Sequence, residues 1–283
     1  MTTAALDPAT SRTAGEPRAR FRDLLAAEWI KLWSLRSTPW VLGLSALVVV
    51  FAAVKNAKYT YDHFPVGQAY RASDFYQTAL NNSFNNTGAY IEMLVAGSLG
   101  TFVIVSEYAS GMIRASLAAV PDRRALLLAK ALVLTAVTTG WGVLVSAVPF
   151  FVAQAILAGR GVGLSITDPG AVRFVAAAAL FAPVCALAGL CLGVLIRHTA
   201  ASVVGMFLVL FLVPTFFTDT YHWSADISHA MPFTAWRRLA QVDLTNQFIP
   251  QYPATVAGAW ITFAVWSLAA VAISTTVIHR RDL

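Results

Sequence analysis

Long runs of apolar residues constrain this chain more than any other feature of its sequence. Residues 90–105 contain a single charged side chain, Glu92, and residues 125–158 contain only Lys130. A helix needs about 20 apolar residues to cross the hydrocarbon core of a bilayer, where unpaired backbone groups are not tolerated. Charged residues make up 12% of the chain, whereas they are about a quarter of a typical soluble domain. The sequence therefore predicts an all-α integral membrane protein.

The apolar runs predict six transmembrane helices, at about residues 37–55, 88–106, 125–158, 172–196, 200–217 and 254–278. Of the 20 Lys and Arg residues, 13 fall in segments on the same side as the N-terminus, and the loops on that side are the shorter ones. The positive-inside rule then places both termini in the cytosol. The third run exceeds the length of a span, so we expect its helix to begin in the cytosol and to tilt or bend at Pro149.

The N-terminal segment divides into a tail and a helix. Residues 1–20 show no periodicity and predict a disordered cytosolic tail. Residues 21–36 place apolar side chains on about half of a helical wheel, which predicts an amphipathic helix in the membrane interface. Glu28 points into the apolar half of this helix. It either pairs with Lys31, three residues later, or faces a protein partner.

The polar segment 106–124 lies between the second and third predicted spans. Gly111 permits a turn, residues 112–120 are compatible with a short helix, and Pro121 ends that helix. Arg123 and Arg124 then stand where the third span begins. The segment either fixes the topology as an ordinary basic loop or presents a short helix to a soluble partner.

Three motifs resemble those of the ABC-2 type transporter permeases. The first is Glu-Tyr-Ala-Ser-Gly-Met-Ile-Arg at residues 107–114, followed by a short coupling helix that ends in Pro and Arg. The second is Glu-Trp-Ile-Lys-Leu-Trp-Ser-Leu-Arg-Ser-Thr at residues 28–38, which is similar to the interfacial connecting helix of that family. The third is Arg-Arg-Asp at residues 280–282, directly after the last span.

The resemblance implies a permease subunit of an ATP-driven exporter in the bacterial cytoplasmic membrane. Such a subunit works as a homodimer or heterodimer in contact with membrane lipid, and separate ATPase subunits bind ATP and Mg. This chain would then be no enzyme and would bind no cofactor of its own. The residues that the resemblance assigns to the ATPase interface are Glu28, Lys31, Arg36, Glu107, Gly111, Arg114, Pro121, Arg123 and Arg124.

A few residues inside the apolar runs are further candidates. Glu92 is a candidate for lining a pore, because an ionisable residue inside a span is expensive. Gly97, Gly100, Gly189 and Gly193 would permit close helix packing or dimerisation. His222 and His229 are seven residues apart with no cysteine nearby, so we predict no metal site.

Motifs for catalysis are absent from the sequence. It contains no GxxxxGK[ST], HExxH or GxSxG pattern. Its net charge of +6 is spread over several loops, which does not favour nucleic-acid binding. Uphill transport would therefore need an ATPase partner or an ion gradient. A self-contained secondary transporter or channel, with Glu92 as the ion-coupling group, is the alternative function, and a membrane scaffold or immunity protein is a third.

Overall fold

The computed structural model describes residues 20–63, 72–113, 116, 122–217, 221–240 and 252–280. Across these residues the chain forms helices joined by turns, with no β-strand. All of the predicted disordered tail (residues 1–20) except Arg20 lies outside the described residues. So do Arg114, Pro121 and most of the predicted coupling helix between them.

The described helices follow one another along the chain. In chain order they are α1 (Phe21–Ser34), α2 (Ser37–His63), α3 (Ala72–Ser83), α4 (Asn86–Ala109), α5 (Arg123–Ala158), α6 (Ala171–Ile196), α7 (Thr199–Phe207), a π-helical segment (Leu208–Leu212), α8 (Val213–Thr215), α9 (His222–His229), α10 (Pro232–Ala240) and α11 (Val256–Arg280). Five helical segments are long and apolar enough to cross a membrane: α2, α4 with the end of α3, α5, α6 and α11. This architecture is compatible with a multi-pass, all-α membrane protein.

The fifth predicted span differs from the expectation of one regular helix. Thr199–Thr215 is apolar but shorter than the other five segments. Its hydrogen-bond pattern widens to π-helical at Leu208–Leu212, just before Pro214. Proline has no amide hydrogen to donate to the carbonyl four residues earlier, and π-turns accommodate such gaps. The count of six spans is therefore not confirmed.

Helix α6 is the centre of the bundle. It packs most extensively against α4 and α5, and also contacts α7, α10 and α11. Its buried face consists largely of Ala, Gly and Cys, which let neighbouring backbones approach closely. The helix ends at Arg197, which has a positive φ of 59°.

The two ends of the bundle have different components. At one end, here called the α1 end, α1 meets the end of α4 and the beginning of α5, and α6 and α11 end on the same side. There, Arg123 donates a hydrogen bond to the carbonyl of Ile278 (3.5 Å), and Arg197 stacks 4.9 Å above the ring of Tyr108. The opposite end, the α3 end, carries α3, α9 and α10. Its core is Trp236, which is fully buried against Phe84.

Helices α2 and α11 lie on the outside of the bundle. On α2, about two-thirds or more of the surface is exposed for each of Trp40, Leu47 and Phe51. On α11, Ile261 and Leu268 are similarly exposed. Such apolar surfaces suit lipid tails or another membrane helix.

Candidate functional site

A cluster of four charged side chains joins three helices at the α1 end. Lys31 of α1 donates hydrogen bonds to Glu28 (2.7 Å) and to Glu107 of α4 (3.0 Å). Lys130 of α5 donates to the same two carboxylates, at 2.5 Å to Glu28 and 2.9 Å to Glu107. Each lysine therefore bridges both glutamates. We call Glu28, Lys31, Glu107 and Lys130 the ion cluster.

The ion cluster is largely removed from solvent. Glu28, Glu107 and Lys130 are each 3% exposed, whereas the side chain of Lys31 is 32% exposed. The two carboxylates and two ammonium groups balance in formal charge. Burying ions is costly unless they are paired with good geometry, and removing one partner leaves a strongly destabilising charge. The cluster consequently favours one relative placement of α1, α4 and α5.

The local sequence explains how these side chains meet. On α1, Leu24, Glu28 and Leu32 recur every four residues and form the buried face. The pairing of Glu28 with Lys31 that the helical spacing predicted is confirmed. Trp29 and Trp33 lie on the outer side of the same helix, with their ring centroids 5.8 Å apart.

The contacts of Lys31 change its acidity. Burial alone would lower the pKa of its ammonium group, but the hydrogen bonds and charges of Glu28 and Glu107 outweigh burial and raise that pKa above its ordinary value. The folded state therefore favours charged Lys31. One oxygen of Glu107, Oε2, is buried and has no hydrogen-bond partner among the described residues.

The segment after α4 begins with a tight turn. Gly111 is exposed, has a φ of +71° and has no atoms within 4 Å of where a Cβ would lie. Its requirement for glycine thus comes from the backbone angle rather than from crowding. At the far side of the segment, the carboxylate of Asp122 caps α5 by accepting hydrogen bonds from the amides of Arg124 and Ala125, both at 3.1 Å.

The predicted ATPase-interface residues fall into two groups in the structure. Arg36, Gly111 and Arg124 are exposed near the α1 end, and Arg123 is half-buried against α11. Glu28 and Glu107 instead face inward, where their carboxylates are enclosed by the lysines of the ion cluster. Their contact with an ATPase subunit stays a prediction, and in this conformation their carboxylates bind lysines of the same chain.

Glu92 lies in the interior of the bundle. Its side chain has no exposed surface, and neither carboxylate oxygen has a hydrogen-bond partner in the part of the chain that the structure describes. The carboxyl lies against α6, near Ala182 and Cys185. Its role in lining a pore stays a prediction.

The four candidate glycines lie where α4 and α6 meet. A Cβ on Gly100 would lie 1.9 Å from the carbonyl oxygen of Ala186, and one on Gly189 would lie 2.0 Å from that of Gly97. Thr101 also donates a hydrogen bond to the carbonyl of Gly189 (3.1 Å). A Cβ on Gly193 would meet Ile104 of α4 at 2.5 Å. These glycines serve packing within the chain, and their role in dimerisation stays a prediction.

The α3 end holds an open cavity of about 540 Å³ between α9 and α11. Its lining includes His222, Asp226 and His229, and His222 Nδ1 lies 2.9 Å from the carboxylate of Asp226. No group of three or more His, Cys, Asp or Glu side chains suited to a metal ion occurs among the described residues. Cys185 and Cys191 are both buried and unbridged.

No model of a known protein family matches the chain, and no curated protein matches it. The functional argument therefore depends on the residues themselves. Of the groups described above, the ion cluster is the one that brings residues predicted for the ATPase interface into direct contact from different helices.

Sequence reasoning missed several of the contacts that organise the bundle. In the sequence, Lys130 stands out only as the single charged residue of an apolar run, although it is the more buried of the two lysines in the ion cluster. Trp141 donates its indole hydrogen to the carbonyl of Leu42 (2.9 Å), which ties α5 to α2. Gln154 donates to Ala79 of α3 (2.9 Å) and accepts from the amide of Leu164 (2.9 Å). A polar side chain isolated within an apolar run was the available signal for Lys130 and Gln154.

Proposed function

We propose that this chain is the permease subunit of an ATP-driven transporter, and its resemblance to ABC-2 permeases favours an exporter. The observation that carries the proposal is the ion cluster. It connects the helix that resembles a connecting helix to both helices that flank the segment resembling a coupling helix. A separate ATPase subunit acting on that segment would therefore act on α1, α4 and α5 together.

The geometry supports transmission of movement from the surface into the spans. Exposed Arg36, Gly111 and Arg124 would contact the ATPase, whereas buried Glu28 and Glu107 would pass the displacement on. Because the cluster is desolvated, separating its charges costs several kcal/mol, so α1, α4 and α5 resist moving independently. Helix α4 in turn packs on α6 through contacts too close for a side chain.

Chain direction supports six crossings of the membrane. Helices α6 and α11 both end at the α1 end, so residues 199–255 must return the chain to the α3 end before α11 begins. Thr199–Thr215 makes that return. As a helix it spans about 25 Å, which is close to the hydrocarbon thickness of about 30 Å. We propose that it is the fifth of six spans, with both termini in the cytosol.

A second copy of the chain, or a related permease, would complete the transporter. The outer apolar surfaces of α2 and α11 are available for lipid or for that second subunit. ATP and Mg would bind to the ATPase subunit rather than to this chain, which would not be an enzyme by itself.

A secondary transporter or channel is the second candidate function. The observation that favours it is Glu92, whose carboxyl is buried in the bundle without a hydrogen-bond partner among the described residues. Buried ionisable groups of this kind are common in ion-coupled transporters. The two candidates differ in whether a nucleotide-binding partner is needed.

Purification from native membranes in a mild detergent tests the proposal. We expect a nucleotide-binding subunit to co-purify with the tagged chain in near-equal amounts and to hydrolyse ATP. Charge reversal of Arg36 and Arg124 should reduce the amount of partner recovered. Reversal of Lys58, which is exposed near the other end of α2, is the matched control and should leave recovery unchanged. Recovery of well-folded protein without such a partner would contradict the proposal.

A further inference from the structure

The carboxyl of Glu92 is a fully buried ionisable group inside the bundle. Neither of its oxygens makes a hydrogen bond of ordinary geometry among the described residues, and its polar contact is with the backbone of Ala182 of α6. Its neighbours on α4 include Met93 and Ala96, which are fully buried apolar residues. An unpaired carboxylate in such surroundings is very costly, and a buried acid avoids the cost by staying neutral.

Glu92 forms no salt bridge with a cation in the part of the chain that the structure describes. The ion cluster is far away, because Glu107 lies fifteen residues further along α4, or about 22 Å along the helix axis. Lys55 and Lys58 of α2 are exposed, and no described salt bridge involves Glu92. Besides the ion cluster, the titratable groups on the helices in contact with α4 are Lys55, Lys58, Tyr59, Tyr61, Asp62 and His63 of α2, Arg123 and Arg124 of α5, Arg173, Cys185 and Cys191 of α6, and Arg237 and Arg238 of α10.

We propose that Glu92 is a proton-binding site, whose carboxyl carries a proton while α4 is packed against α6 and releases it when the helices separate and water enters. The inference goes beyond the proposed function and does not depend on an ATPase partner. Release forms a carboxylate and gives the proton to water, so the step needs no other reactant.

The position of Glu92 would link proton binding to helix packing. The carboxyl faces Ala182 of α6. The next residue of that helix, Pro183, lacks an amide hydrogen and so leaves a gap in the helical hydrogen bonds. A packed state that holds one more proton than the separated state becomes less favoured as pH rises. Alkaline conditions should therefore favour separation of α4 from α6. Glutamine at this position would imitate the protonated form and remove that dependence.

Infrared spectroscopy of the purified chain in lipid tests the proposal directly. We expect the carbonyl-stretch band of a protonated carboxylic acid at neutral pH, shifted in deuterated water. Glu92→Gln should remove this band, whereas Asp226→Asn, at an exposed carboxylate, should not. Identical band intensity in the wild-type and Glu92→Gln proteins would overturn the proposal.

A second measurement requires only the wild-type chain, in case Glu92→Gln accumulates poorly. A membrane-soluble carbodiimide reacts with protonated carboxyl groups in apolar surroundings, and peptide mass spectrometry locates the adduct. We expect an adduct at Glu92 that forms more slowly as pH rises. Absence of an adduct at Glu92 across the pH range would overturn the proposal.

Discussion

At the scale of single residues, Lys130 and Lys31 provide a matched comparison within the ion cluster. Both donate to Glu28 and Glu107, but Lys130 is buried and Lys31 is about one-third exposed. Lys130→Met should lower the free energy of unfolding by about 3–5 kcal/mol, because it leaves the two buried carboxylates with too little positive charge nearby. Lys31→Met should lower the free energy of unfolding by less, because water screens the charge that remains at this more exposed position. Thermal unfolding of both variants in detergent would measure the difference, and equal melting temperatures would contradict this account of the cluster.

The raised pKa of Lys31 predicts a pH dependence with a defined sign. Because the folded state binds this proton more tightly than the unfolded state, Lys31 stabilises the fold below its ordinary pKa of 10.5. That contribution is lost as pH rises through the higher pKa of the folded state. The difference in melting temperature between wild type and Lys31→Met should therefore be constant near neutral pH and shrink above about 10.5. A difference that grew with alkalinity would have the wrong sign.

Local spacing predicted only part of the ion cluster. Glu28 and Lys31 are three residues apart, so a helix places them together whatever the fold. Lys130 and Glu28 are separated by 102 positions. Their contact depends on how α1 packs against α5, and no periodicity within either helix carries that information.

At the scale of helices, the α4–α6 contact depends on glycine. Gly100→Ala would place a methyl group against the backbone of Ala186 and force the two helices apart. We expect the free energy of unfolding to fall by about 1–3 kcal/mol or more. Gly140 of α5 is the control, because a Cβ there meets nothing within 4 Å. Gly140→Ala should leave the free energy of unfolding unchanged or raise it slightly, because alanine is a better helix former than glycine. Similar melting temperatures for the two variants would contradict the close contact.

Helix boundaries were predicted well where a segment is uniformly apolar and ends in a clear signal. The fourth predicted span, 172–196, corresponds to α6 at Ala171–Ile196. The first span proved longer, because α2 continues to His63 through polar residues that a hydropathy pattern excludes. The fifth was predicted as regular, although Pro214 and the π-helical segment interrupt it. Hydropathy reports burial in lipid, and it does not report such changes in backbone hydrogen bonding.

At the scale of the whole molecule, we expect movement imposed at the α1 end to reach the centre of the bundle. The path runs from the ion cluster along α4 to its contact with α6. Cys185 of α6 is fully buried near Glu92 and is a native reporter of that contact. Its thiol should react with a maleimide only when α4 and α6 separate.

The most direct measurement is the alkylation rate of Cys185 in native membranes with and without ATP, followed by peptide mass spectrometry. We expect ATP to change this rate in the wild-type chain. Glu107→Gln should abolish the effect of ATP while the chain remains in the membrane, because it weakens the ion cluster at the end of α4. Equal rates with and without ATP in the wild-type chain would contradict the proposal that a nucleotide-driven partner moves these helices.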